Sequence, residues 1–297
     1  MSISKLQDEI IKLNPLQASF IQASIEGLTQ EENDTFCNYL NYCSKIGISL
    51  IFLAQSYDLI VKDTFKEQIY FKRNKKYRFS KYSEVADSVY NSKQYMQKYM
   101  YGLAISAFLW PNHRAMHRYF LDVLPTNITG KYLEIGPGHG FYFVQSMKRT
   151  NFSHYTGVDI SPISVALTKS ILKENATESY DNYEIIQSDF FSWSNENKFD
   201  FVVMAEVLEH VEQPQQFLNK IHNILTTGGE AFITTCINAP AIDHIYLYQC
   251  VDSLLSQIKE SNFSITSQLV VPYDNLTLEQ TMALSLPVNI ALLIKKI

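Results

Sequence analysis

From Lys131 onward, short apolar runs alternate with segments of helical period, and a chain patterned this way has few options beyond an open, mostly parallel sheet covered by helices. The runs Tyr132 to Ile135, Tyr155 to Ile160, Tyr183 to Gln187, Phe199 to Met204 and Ala231 to Cys236 read as strands, and Phe263 to Val271 with Val288 to Ile294 supply two more. Between them, Phe141 to Met147 opens a helix. Another begins at Pro162 behind the N-cap Ser161, with Ile163, Leu167 and Ile171 on one face. Phe217, Leu218, Ile221, Ile224 and Leu225 form a further helical stripe, which Gly228 and Gly229 are expected to stop. Val251, Leu254, Leu255 and Ile258 mark one more helix.

Residues 1–125 lack this alternation and read as a separate, mainly helical domain, leaving 126–297 as an α/β domain. Helices are predicted over Thr35 to Tyr42 and Ser49 to Ile60, with Gly47 as the break. Gln68 to Phe71 and Tyr77 to Phe79 flank the polar tip Lys72 to Lys76 and suggest a small hairpin. A long helical stretch, Ser83 to Trp110, stops before Pro111, and a short helix leads to Leu124.

At 46% hydrophobic and 19% charged, the 297 residues can bury a core and are far from a disordered composition. The longest apolar patch, Ile46 to Ala54, is much shorter than the roughly 20 residues of a membrane span, and the first thirty residues carry no signal-peptide pattern. Cys37, Cys43, Cys236 and Cys250 form no C-x-x-C pair and read as reduced thiols, so a soluble cytoplasmic protein without a membrane partner is expected. Residues 1–120 hold 15 Lys and Arg against 11 Asp and Glu, whereas the rest hold 10 against 19. That acidic second part argues against extended nucleic-acid binding.

The sharpest local feature is Glu134-Ile-Gly136-Pro137-Gly138-His-Gly140, at the junction of the first strand and first helix of the α/β part. Its glycines allow a tight turn and close approach of backbone amides to a ligand. Asp159 ends the second strand nineteen residues after Gly140, where a carboxylate can accept both hydroxyls of a ribose. Asp189 and Phe190 follow the third strand and Glu206 the fourth, all at strand carboxyl ends.

This constellation resembles the class I S-adenosylmethionine-dependent methyltransferases. The resemblance implies a Rossmann-like seven-stranded sheet whose last two strands form an antiparallel hairpin, and S-adenosylmethionine as cofactor. It implies that Gly136 and Gly138 contact the methionine part, with Glu134 near its amino group. Asp159 would bind the ribose, Asp189 and Phe190 would hold the adenine, Ala205 with Glu206 would line the pocket below the sulfonium, and Pro137, Gly140, Ile160 and Ser188 would complete the cofactor-binding set. A nicotinamide enzyme would show Gly-x-Gly-x-x-Gly, and Phe141 stands where its last glycine belongs. The helix, helix, hairpin order of the first part resembles the winged-helix dimerisation domain of many O-methyltransferases and implies a homodimer.

Catalytic candidates cluster in Glu206-Val-Leu-Glu209-His210 and at Asp243-His244. His210 is a candidate base, since imidazole transfers protons near neutral pH, or a part of the pocket wall. Glu206, Glu209, His210 and His244 are an oxygen and imidazole set able to hold a divalent metal, similar to the one in small-RNA 2'-O-methyltransferases. Tyr95, Tyr99, Tyr101, Phe108, Trp110, Tyr119 and Phe120 form either an acceptor pocket or core, and His113, Arg114 and His117 either bind an acidic group of the acceptor or form a solvated helix face. Six basic residues in ten over 72–81, with Tyr77 and Phe79 interleaved, fit a nucleic-acid contact or a solvated tip. The expected function is methyl transfer to O, C or N of a small molecule of specialised metabolism. RNA methylation and a non-catalytic cofactor-binding protein are the alternatives.

Overall fold

The strand with apolar residues on both faces takes the middle of the sheet. In the computed structural model, which describes residues 1–90, 92–175 and 182–297, β4 (Phe199–Ala205) has Val202, Val203 and Met204 fully buried. It pairs in parallel with β1 (Lys131–Ile135) on one side and with β5 (Leu225–Ile237) on the other. β2 (His154–Asp159) and β3 (Tyr183–Gln187) extend the β1 side, while β6 (Phe263–Val271) and β7 (Val288–Lys296) extend the other. The order is β3-β2-β1-β4-β5-β7-β6, with β7 antiparallel to both β5 and β6. Chain direction of travel across the sheet reverses between β1 and β4, and ligands bind at the carboxyl ends of strands flanking such a point.

The covering helices follow the apolar spacing. α8 (Phe141–Arg149) and α9 (Pro162–Asn175) lie in the first half, and Ser161 Oγ accepts the Ser164 N–H at 3.2 Å, as its N-cap position requires. α10 (Pro214–Ile224) ends before the predicted glycine stop. The chain passes straight into β5 at Leu225, and Gly228 and Gly229 lie inside that strand, where its register against β4 shifts between Phe199 and Phe201. The expectation of a helix stop fails there because two glycines can equally serve a bulge. α11 (Val251–Glu260) precedes β6, and the short α12 (Leu278–Ala283) precedes β7.

The first 123 residues are helical, comprising α1 (Ile3–Leu13), α2 (Ala18–Glu26), α3 (Gln30–Lys45), α4 (Leu50–Asn74), α5 (Tyr82–Val85), α6 (Lys93–Leu109) and α7 (Pro111–Val123). A π-helical turn, Ala86–Tyr90, follows α5, and Asn91, inside the helical stretch expected over 83–110, lies outside the described residues. One apolar cluster runs from Ile3 through Phe36, Phe108 and Phe120 to Phe232 of β5, so the helices share a core with the sheet.

The hairpin expected over 68–79 is absent. α4 continues through it for 25 residues, and Lys75 ends the helix in the left-handed conformation (φ 54°), its N–H reaching Phe71 O at 2.7 Å. Glu67 and Phe71, four apart on one face, give the segment helical partners. Arg78 returns to Glu67 with Nε 3.0 Å from both carboxylate oxygens, and Phe71 packs on the buried Tyr77. With the hairpin goes the order that resembled a winged helix. No single helix among the described residues is long and apolar enough to cross a membrane. α3 and α4 pass that test only together, bent by 117°.

Candidate active site

The turn after β1 depends on backbone angles open to glycine. Gly136 (φ 67°) and Gly138 (φ 55°) are left-handed, and their N–H groups donate to Val158 O at 2.8 Å and Asp159 Oδ2 at 3.1 Å. A Cβ on Gly136 would sit 2.9 Å from Val207 Cγ2, so the loop is packed as well as turned. Gly140 differs from the other two. It lies off the cavity wall, and a Cβ there would meet Ile171 Cγ2 of α9 at 2.9 Å, so its service is to helix packing.

Above this loop a cavity of about 2180 Å³ separates the strand tips from the helical layer. Glu134, Gly136, Pro137, Gly138, Asp159, Ile160, Ser188, Asp189, Phe190, Ala205, Glu206, Glu209, His210 and His244 all line it. Sequence separations of up to 110 positions thus close onto one space. Asp159 is buried, with Oδ1 accepting the Ser161 N–H at 2.8 Å and Oδ2 the Gly138 N–H, yet burial still pushes it up to about 6. Glu134 is buried too, and burial pushes it to about 8 although the Tyr132 hydroxyl donates to Oε2 at 2.5 Å. A buried carboxyl whose ionised form lacks a cationic partner is suited to receive a cationic group, whose charge would favour loss of its proton. Phe190 is buried against Trp193 and Phe217, while its neighbour Phe191 is half exposed at the rim. Asp189 is exposed and turns one oxygen to the Phe191 N–H at 2.9 Å.

The turn after β4 is strained. Glu206 has φ 53°, held by N–H bonds to Thr234 O (3.1 Å) and Thr234 Oγ1 (3.0 Å), and Thr234 Oγ1 donates to Glu206 Oε1 at 2.8 Å. A short 3-10 turn, Leu208–His210, carries Glu209 beneath it, fully buried, with Oε2 accepting from Thr235 Oγ1 at 2.8 Å. Burial raises the affinity of both carboxyls for a proton, and for Glu209 the charge of Glu206 adds to it. Glu209 Oε1 is buried with no hydrogen-bond partner.

His210 is oriented from behind. Its Nδ1 lies 3.0 Å from the Asp243 carbonyl, which can only accept, so the proton sits on Nδ1 and Nε2 keeps its lone pair. The Asp243 carboxylate is 3.5 Å from the same nitrogen. Two tyrosines of the helical layer fix that carboxylate, Tyr90 donating to Oδ2 at 3.1 Å and Tyr99 to Oδ1 at 2.8 Å. His244 stands edge-on to His210, ring centres 4.8 Å apart. Its Nδ1 is 2.6 Å from Ala239 O, and burial holds it down at about 4, so it is neutral at pH 7.

Comparison with known proteins matches the family described as Methyltransferase domain to residues 107–268, more than half of the chain. The chain belongs to the class I S-adenosylmethionine-dependent methyltransferases. A mitochondrial ubiquinone biosynthesis O-methyltransferase of Dictyostelium discoideum is 30% identical over 184 residues, covering 53% of this chain and 57% of that protein. An Aeromonas salmonicida ubiquinone biosynthesis O-methyltransferase is 29% identical over 108 residues, 36% of this chain and 44% of that one. The chain spans about half the length of the curated relatives it matches. Among solved structures, the complex of the Haloferax volcanii Trm112 methyltransferase activator with a methyltransferase superposes at TM-score 0.51 and 13% identity, over 71% of this chain and 97% of that one. That likeness shows the fold.

The methyltransferase site fits its cofactor: the buried Glu134 carboxyl matches an ammonium, and the glycine turn is open toward the cavity where Asp159 lies. The metal-type donors are grouped differently from the set Glu206, Glu209, His210 and His244. His210, Asp243 and His244 form one cluster close enough for an ion, and Glu209, Cys236 and His244 another. The buried, unpartnered Glu209 Oε1 gives a cation a ligand atom to satisfy, so a divalent ion fits this corner.

Other expectations change. Arg114 does not face an acceptor. It is buried and donates to Ser24 O and Phe108 O, both at 2.9 Å. The aromatics divide, with Tyr101, Phe108 and Phe120 in the core and Tyr99 on the site. Tyr90 escaped the sequence reading altogether. Nothing in its neighbourhood marks it, because its partners lie 120 and 153 positions away.

Proposed function

We propose that this methyltransferase transfers a methyl group to a hydroxyl oxygen of a small aromatic acceptor. The observation that carries the reading is His210, whose Nδ1–H is tied to Asp243 while Nε2 is left to receive a proton. Its relatives' names as O-methyltransferases support oxygen as the acceptor atom. The aromatic rings of Tyr82, Tyr90 and Tyr99 along the cavity support a flat, small acceptor. The basic run that suggested RNA is partly consumed by the Arg78–Glu67 pair and by the end of α4, which weakens that alternative.

Bound S-adenosylmethionine supplies the activated methyl group. His210 Nε2 takes the hydroxyl proton as the acceptor oxygen forms its new bond, and the resulting imidazolium is stabilised by Asp243. Asp159 and Glu134 bind, and the helical layer excludes water. Where a divalent cation is present, Glu209, Cys236 and His244 would hold it, leaving His210 Nε2 for the proton, and it would polarise the hydroxyl.

The test is a panel of phenols, catechols and matching anilines assayed by release of S-adenosylhomocysteine. Phenolic acceptors should turn over, and His210→Ala should lower kcat by about 10²–10⁴ while S-adenosylhomocysteine affinity holds. Turnover confined to anilines, or an unimpaired His210→Ala, would overturn the reading.

A further inference from the structure

Three histidines outside this chemistry face the same cavity. His113 and His117 stand four apart on α7, on one helix face, and His139 lies between Gly138 and Gly140 of the turn. Their hydrogen bonds assign their protons. Ser106 Oγ spends its hydrogen on Leu103 O (2.9 Å), so at 3.2 Å it accepts from His113 Nδ1–H, leaving Nε2 with a lone pair. His139 Nδ1 accepts the Phe141 N–H at 3.3 Å, so its proton is on Nε2. His117 Nε2 is buried without a hydrogen-bond partner. Among the described residues, the groups close enough to hold a metal ion lie elsewhere, so these rings do not converge on one point as ligands.

The lysines and arginines that line the cavity are all engaged. Arg118 grips Glu32 at 2.6 Å, Arg149 pairs with Glu31, Lys45 with Glu174, Lys148 donates to Asn175 at 2.7 Å, and Arg114 is bound to carbonyls. An anion entering beside the glycine turn therefore meets histidines in place of a free guanidinium. The amino-acid tail of the cofactor is a zwitterion, and Glu134 answers only its ammonium.

Resting on the cofactor assignment above, we infer that His113, His117 and His139 form the receptor for the carboxylate of the cofactor's amino-acid tail, opposite Glu134. His139 offers Nε2–H directly, and His113 and His117 supply donors as they take up a proton. Burial holds His113 and His117 down at about 4 and His139 at about 3, so all three are neutral in the free protein at pH 7, and a carboxylate raises them. The charges facing them are Glu32 of α3, which favours protonated His117, and Arg149 of α8, which opposes it. His113 and His117 both oppose a proton on His139.

The experiment compares two ligands by titration calorimetry: S-adenosylhomocysteine and S-adenosyl-3-thiopropylamine, which keeps the ammonium and lacks the carboxylate. The wild type should prefer the first by about tenfold or more. In His113→Gln, His117→Gln and, separately, His139→Gln, the preference should shrink toward unity while S-adenosyl-3-thiopropylamine binds within about twofold of wild type. Equal binding of both ligands by the wild type, a preference untouched in the variants, or an equal loss of both ligands would overturn the inference. A wild type that binds neither ligand would instead sink the cofactor assignment.

Discussion

The strand tips and the helical layer build opposite walls of one cavity by different means. On the sheet side, each acid is held by groups in an adjacent strand or in the turns at the strand ends: Asp159 by the Gly138 and Ser161 amides, Glu206 by Thr234, Glu209 by Thr235. On the helical side, Tyr90 and Tyr99 reach across 153 and 144 positions to Asp243. The sheet therefore presets the binding groups, whereas the helical layer sets the orientation of His210 only once the chain has packed. Losses on the sheet side should fall on cofactor affinity, and losses on the helical side on turnover.

The strongest break is Asp159→Ala. It removes two amide bonds to a carboxylate along with any ligand contact, and S-adenosylhomocysteine affinity should fall several hundred-fold, about 3–4 kcal/mol, in a titration. Unchanged affinity would detach Asp159 from the cofactor.

Glu134 gives a pH signature. The folded state holds its proton more tightly than the unfolded chain, so its contribution to stability is complete below pH 4.5 and is lost as pH rises toward about 8. The loss should run at up to about 1.4 kcal/mol per pH unit in ligand-free protein, read from denaturant unfolding at several pH values. Glu134→Gln should flatten that slope, and an equal slope in both proteins would contradict the buried protonated carboxyl.

Tyr90→Phe sharpens the comparison from the other wall. One hydrogen bond to Asp243 disappears, kcat should fall about fivefold, and S-adenosylhomocysteine affinity should stay put. An equal loss of affinity would show that the layers are not so divided. The smallest effect is at the end of α4, where Lys75→Gly relieves a left-handed residue and should raise stability by up to about 1 kcal/mol in thermal unfolding. A destabilised variant would argue against the helix end found there.

How much could be read beforehand follows the same division. β3 and β6 appear at the expected residues, and Glu134, Asp159, Glu206, Glu209, His210 and His244 line one cavity from their places at or just beyond strand ends. Spacing suffices there because a parallel sheet brings every strand's carboxyl end to one edge. The stretch 68–79 misled because its short apolar runs carry β-propensity, while the deciding partners, Glu67 for Arg78 and Phe71 for Tyr77, act through side chains. Gly140 misled for a related reason: pattern reveals a glycine, and only α9 beside it reveals that the space is for packing.

By itself, then, the amino-acid order determined the alternating sheet, the glycine turn and the row of acids at the strand ends, all consequences of local periodicity and backbone angle. The tertiary structure alone decided which tyrosines hold Asp243, which arginines are already paired, and that Glu209 is fully buried. Those outcomes depend on burial and on contacts between distant segments, and burial is a property of the packed chain that no short window of residues contains.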